Sequence, residues 1–177
     1  YIFSNYDYMY MPLHPSFTEI SSIQGLGAFM ESRHTHILRN VMNLDELDSK
    51  LRNNIKSASK KLEITIDYDP SKFDFDIAIH GTKEEQECRK KNALNLLKHH
   101  KAIIFTGYYE GKPIIGNMVT FDNKWVYGLH AWEVDKVPRG SCPYIIYSIS
   151  KWAFEEKGLK YFCNFNAEQI IYPYIHF

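Results

Sequence analysis

The sequence predicts an α+β domain built on one mixed sheet, and three observations predict it. Strand-like segments at 102–109, 112–121 and 125–134 are separated only by Glu110-Gly111 and Asp122-Asn123, both tight-turn pairs, so they form an antiparallel meander. Helical periodicity brackets that meander, over 44–61 and from Thr82 on one side and over 143–157 on the other. A last apolar segment, "LKYFCNF" at 159–165, follows a crossover helix and is expected to lie parallel to strand 125–134. The core order reads strand, helix, helix, three antiparallel strands, helix, strand.

Each element has a local reason. Ser16 stands three residues before Glu19, a capping-box spacing that predicts a short helix within 16–30. "HTHILRNV" at 34–41 reads as a short strand. Asn43 is expected to cap the helix 44–61, where Leu44, Leu47, Leu51, Ile55 and Ala58 share a face and Lys50, Arg52, Lys56, Lys60 and Lys61 make the surface basic. "LEITIDY" at 62–68 alternates and is rich in β-branched residues, so it is the first core strand. A helix is expected near 71–80, and the T-K-E-E at Thr82 is a second capping box opening the next one, 83–100. Gly158 stops the helix 143–157.

With 177 residues the chain has the length of one domain with a real core. No linker or repeat divides it; residues 1–43 read as an N-terminal helical extension and 44–177 as the core. Lys+Arg and Asp+Glu balance at 21 each, which removes the general electrostatic reason to expect nucleic-acid binding but leaves room for a local basic patch. Cys88, Cys142 and Cys163 are odd in number and far apart, so neither a disulfide framework nor a structural zinc site is suggested, and a cytoplasmic setting is expected. The opening residues do not read as a signal peptide, and no apolar run approaches the roughly 20 residues of a membrane span. The chain opens on Tyr1 and closes on Phe177 and is expected to be a piece of something longer.

Two segments carry a resemblance. "AIIFTGYYEGKPIIGNMVTF" reads as a hairpin in which a G-K-P turn leads into an I-I-G strand, and "WVYGLHAWEVDKVPRGSCPYIIYSISKWAFEEKGLKYFCNF" as a strand–loop–helix–strand unit. With the basic "LRNNIKSASKKLEITID" before them, they resemble the GNAT superfamily of N-acyltransferases, in its FemAB-like branch, over about residues 44–166. The resemblance implies a bacterial N-acyltransferase that moves an acyl group from acyl-CoA, acetyl-CoA included, to an amine of a sugar, peptide or cell-wall precursor. It leaves two alternatives open: a transferase that takes aminoacyl-tRNA, which the basic helix favours, and a catalytically silent docking domain. The family's last two strands have no counterpart at the C-terminus, so an open sheet edge and a homodimer or second domain are expected.

The loop Arg139-Gly140-Ser141-Cys142-Pro143 decides much of this. Arg139 offers charge, Gly140 lets backbone approach, and the free N–H groups of the following helix suit a phosphate. Equally, Ser141 is a helix cap with Pro143 in the first turn. By the resemblance Val134, Arg139, Gly140, Ser141, Cys142 and Tyr144 hold the donor, with the acyl carbonyl on the backbone N–H groups of strand 125–134. His130 is the first base, since imidazole titrates near neutrality, and Glu133 the second; strand alternation sends them to opposite faces. Tyr172, six residues after Asn166, is the acid that protonates the leaving group by the same resemblance. Neither His34 with His36 nor His99 with His100 has a carboxylate or cysteine at ligand spacing, so no metal is expected. Asp67, Asp69, Asp74 and Asp76 either recognise an amine substrate or offset the basic helix.

Overall fold

Glu110 and Gly111 both take positive φ, 52° and 75°. That is the pair of left-handed residues a two-residue turn needs to match right-twisted strands. They join β3 (Ala102–Tyr109) to β4 (Lys112–Phe121), and an Asp122 side chain accepting from the Lys124 and Trp125 N–H groups turns β4 into β5 (Trp125–Glu133). The expected meander is present. The structure, a computed structural model, describes residues 37–163.

Three further strands complete the sheet: β1 (Ile37–Leu38), β2 (Glu63–Asp67) and β6 (Tyr161–Cys163). Their order is β1-β6-β5-β4-β3-β2. β6 runs parallel to β5, as the crossover helix demands, and the other pairings are antiparallel. The mixed α+β sheet is thus consistent with a GNAT-like fold.

The helices depart from expectation where capping residues compete. Asn43 caps only a 3₁₀ turn, Leu44–Glu46; Leu47 is extended, and Asp48 caps afresh to open α1 (Ser49–Ser59). Two side chains that each satisfy the next turn's N–H groups split one predicted helix into two pieces. The 71–80 helix is likewise cut. Asp69 caps a 3₁₀ turn at Pro70–Lys72, and Asp74 caps the single turn α2 (Phe75–Ala78). α3 (Lys83–Lys98) carries the full capping box, Thr82 with Glu85. α4 (Ser141–Lys151) starts two residues early and continues as a π-turn, Trp152–Glu156, before Gly158.

Register divides the sheet into two faces. Ile103, Phe105, Val119, Val126 and Phe162 pack with Ala58 of α1 and with Ile145, Ile149 and Trp152 of the last helix. Phe105 and Phe121 meet the Trp152 ring edge-on at 5.5 and 5.3 Å. On the other face Ala102, Ile104, Met118 and Trp132 pack with Phe73, Phe75, Ile79, Ala93 and Leu97 from α2, α3 and the turns before them. Burying each large side chain contributes about 1.5–3 kcal/mol. The 16–30 helix, His34, His36, Asn166 and Tyr172 lie outside the described residues.

Candidate functional site

Because α2 is a single turn, it leaves part of its face of the sheet uncovered. A cleft of about 430 Å³ opens there, lined by Phe73, Asp74, Asp76, Lys90, Tyr108 and Trp132, with Val134 at its rim. Its polar groups are local. Asp74 is held as the α2 cap by the Asp76 and Ile77 N–H groups, at 3.1 and 3.0 Å. Lys90 Nζ reaches across from α3 to Asp76 Oδ1 at 3.2 Å and stands 5.7 Å above the Phe75 ring. A carboxylate beside an aromatic face is a place suited to an ammonium, and Lys90 supplies one.

His130 lies on this same face: it pairs with Met118, and Trp132 stands two residues along the strand. The expectation that it titrates near neutrality is corrected. Burial, and then the Arg89 guanidinium on α3, push it down to about 4. Its imidazole is therefore neutral at pH 7. A β-bulge between Met118 and Val119 leaves the parity of 130 and 133 intact, so Glu133 faces the opposite side, as expected.

On that opposite side the 139–143 loop is built for packing. Gly140 takes φ 91°, and a Cβ on it would overlap the backbone carbonyl of Asn54 in α1. The glycine serves close approach of α1 to the loop. Ser141 is buried, and both its N–H and its hydroxyl donate back to the Pro138 carbonyl, at 3.1 and 2.6 Å. Pro143 has no N–H, and Tyr144 donates its own to Gly140 at 3.0 Å while its ring joins the apolar cluster. Within the turn the Ser141 N–H is thus spent on Pro138, and Pro143 has none to offer an anion. Cys142 is open to solvent as a residue, yet burial and then the Glu133 carboxylate push its thiol up. With the residue exposed, the neighbouring negative charge is the firmer of those two causes, and it also disfavours a phosphate here. Arg139 is exposed.

Val134 does not present its N–H to a donor carbonyl, because that group bonds to the Ile114 carbonyl at 3.0 Å. By alternation the Ala131 and Glu133 N–H groups point toward the other edge of β5. Of the residues expected from sequence, the structure brings His130 and Val134 toward the cleft face and gathers Glu133, Gly140, Ser141, Cys142 and Tyr144 at the head of α4. Phe73, Tyr108 and Trp132 were not anticipated. The signal for Trp132 was Gly116 in the facing strand, the small residue that makes room for a large ring.

Among the described residues no group of three or more His, Cys, Asp and Glu side chains is placed to hold a metal, and no helix is long and apolar enough to cross a membrane.

No family model and no curated protein matches the chain. Solved structures of similar fold exist. One, named as the C-terminal domain of a lysylphosphatidylglycerol synthetase from Agrobacterium fabrum, is 12% identical with a TM-score of 0.43, over 68% of this chain and 43% of that one. Another, the lysylphosphatidylglycerol synthetase (L-PGS) of Bacillus licheniformis, is 10% identical with a TM-score of 0.47, over 86% of this chain and 55% of that one. The chain thus spans about half the length of these structures. Their names are those of lysylphosphatidylglycerol synthetases and not of FemAB-like acyl-CoA transferases, and the FemAB-like assignment and the acyl-CoA donor are corrected accordingly. In the 139–143 turn, Gly140 is committed to close approach of Asn54 and the Ser141 N–H to Pro138.

Proposed function

We propose that this chain is the GNAT-like core of a transferase that takes an aminoacyl group from aminoacyl-tRNA. The observation that supports it is a separation of charge in a chain of zero net charge. Lys50, Lys56, Lys60 and Lys61 stand exposed on and just beyond α1, where cations attract phosphates. Asp74 and Asp76 line the cleft beside Phe73 and Trp132, where an aminoacyl ammonium would take the place that Lys90 holds on Asp76. The acceptor's oxygen or nitrogen attacks the ester carbonyl carbon. A bond to that carbon forms, the bond to the ribose oxygen breaks, and the acceptor's proton ends on the ribose hydroxyl. His130, neutral at pH 7, accepts a hydrogen bond from the attacking group and orients it.

The test is binding of aminoacyl-tRNA to the full chain at several salt concentrations, beside the triple variant Lys56→Glu/Lys60→Glu/Lys61→Glu. The variant is expected to bind at least ~10-fold more weakly and with a shallower salt dependence. The fold neighbours' name supplies the first pair for a transfer assay, lysyl-tRNA with phosphatidylglycerol vesicles. Affinity unmoved by the triple variant overturns the reading and leaves a docking domain in its place.

A further inference from the structure

We infer that Trp132 is the residue that holds the carbonyl of an acyl group entering the cleft, through its indole N–H. Trp132 lines the cleft and is only 6% exposed, and its Nε1 has no hydrogen-bond partner. A buried donor left unmade is costly, so native structures rarely keep one without a use. Among the described residues two other buried polar atoms share that condition, Thr65 Oγ1 and Asn117 Oδ1, but neither residue lines the cleft.

The seat of the ring is specific. A Cβ on Gly116 would overlap Trp132 Nε1 and come within 2.7 Å of Cε2 and 3.0 Å of Cδ1, so the pyrrole ring lies across the glycine of the facing strand. Gly116 is what lets the indole lie down on the sheet, and the ring must tilt into the cleft for its N–H to meet a ligand. The ligand class follows from the other walls. Asp76 and the Phe75 ring hold an ammonium at that end, that of Lys90, which an incoming amino group must displace. A carbonyl acceptor at Trp132 and an amino group at Asp76 describe an α-amino acyl group, and His130 stands two residues from the indole on the same face. The identity of the acyl group rests on the aminoacyl-transferase reading; the donor role of Trp132 rests on the geometry alone.

The full chain, labelled with ¹⁵N, has three indole N–H signals to follow, one per tryptophan, and Trp132→Phe identifies the relevant one. The probe is glycine methyl ester, with methylamine as an ammonium lacking the carbonyl. The ester is expected to move the Trp132 indole proton downfield, methylamine to leave it in place, and Trp132→Phe to weaken the ester about 2- to 10-fold, the range of one neutral hydrogen bond. An indole signal that stays put at saturating ester, or an ester that moves no signal at all, overturns the inference. The titration of the unsubstituted chain decides this even if the variant fails to fold. Failure of the tRNA assay with a shifted indole sinks only the donor reading; successful transfer with an unmoved indole sinks only the role of Trp132.

Discussion

The two faces of the sheet are made from similar residues and do different work. One is sealed by two helices of eleven residues each, α1 and α4, locked over Phe105, Phe121 and Trp152 and drawn together at Gly140. The other is covered by the long α3 and by a single turn, α2, and there the cleft opens beside Trp132. Apolar burial supports both. What differs is how many capping side chains interrupt the cover: Asp69 and Asp74 keep the 70–78 segment in short turns, and short turns leave gaps. Function is expected where cover is incomplete, on rigid strands beneath.

The sharpest way to break this contrast is to unlock the sealed face. Gly140→Ala places a methyl against the Asn54 backbone at a φ of 91°, so α1 and the loop must separate. The expected cost is about 3 kcal/mol, from backbone strain together with lost packing, read as a lowered urea midpoint. A change below about 0.5 kcal/mol would mean that the two helices are not held at this point. Ligand binding in the cleft should survive wherever the variant remains folded.

Sequence logic reached the sheet further than it reached the site. The turns at Glu110-Gly111 and Asp122-Asn123 declare themselves because each needs its own residue chemistry, and the parallel β6 follows from a handedness rule that any sequence obeys. Helix boundaries failed at Asn43, Asp48, Asp69 and Asp74, since each is a good cap and periodicity does not say which cap wins. From sequence the loop at Gly140 reads equally as a phosphate turn or a capped connection, because glycine before a helix serves close approach of any kind. Only packing shows that the approaching group is Asn54. His130 was placed on a strand correctly, but its titration is set first by burial and then by Arg89 of α3, neither of which a local pattern reveals. Trp132 and Tyr108 became neighbours only through register.

A second, smaller effect sharpens the view of the open face as a built environment. His130 titrates near 4 when folded and near 6.5 when not, so between those values the unfolded chain binds a proton that the fold refuses. Stability therefore falls as pH drops through that window and is level in this respect above it. The expected loss is about 2 kcal/mol, partial exposure of the ring allowed for. His130→Asn removes this contribution, so the difference in urea midpoint between variant and parent should change from pH 7 to pH 4 in the variant's favour. A difference that stays constant across that range would show the imidazole to be freely solvated.

The smallest effect belongs to the residue that looked most telling in the sequence. Arg139 sits beside Gly140 at the head of α4, where a donor's phosphate was expected, yet it is exposed and the turn behind it is spent on Pro138 and Asn54. An exposed side chain on a committed turn contributes little to the fold, so Arg139→Ala should change stability by no more than about 0.5 kcal/mol. Its effect on aminoacyl-tRNA affinity should be under ~2-fold, against the ~10-fold expected when Lys56, Lys60 and Lys61 are reversed. Equal losses in the two variants would merge the head of α4 with the basic helix α1 into one phosphate-binding surface.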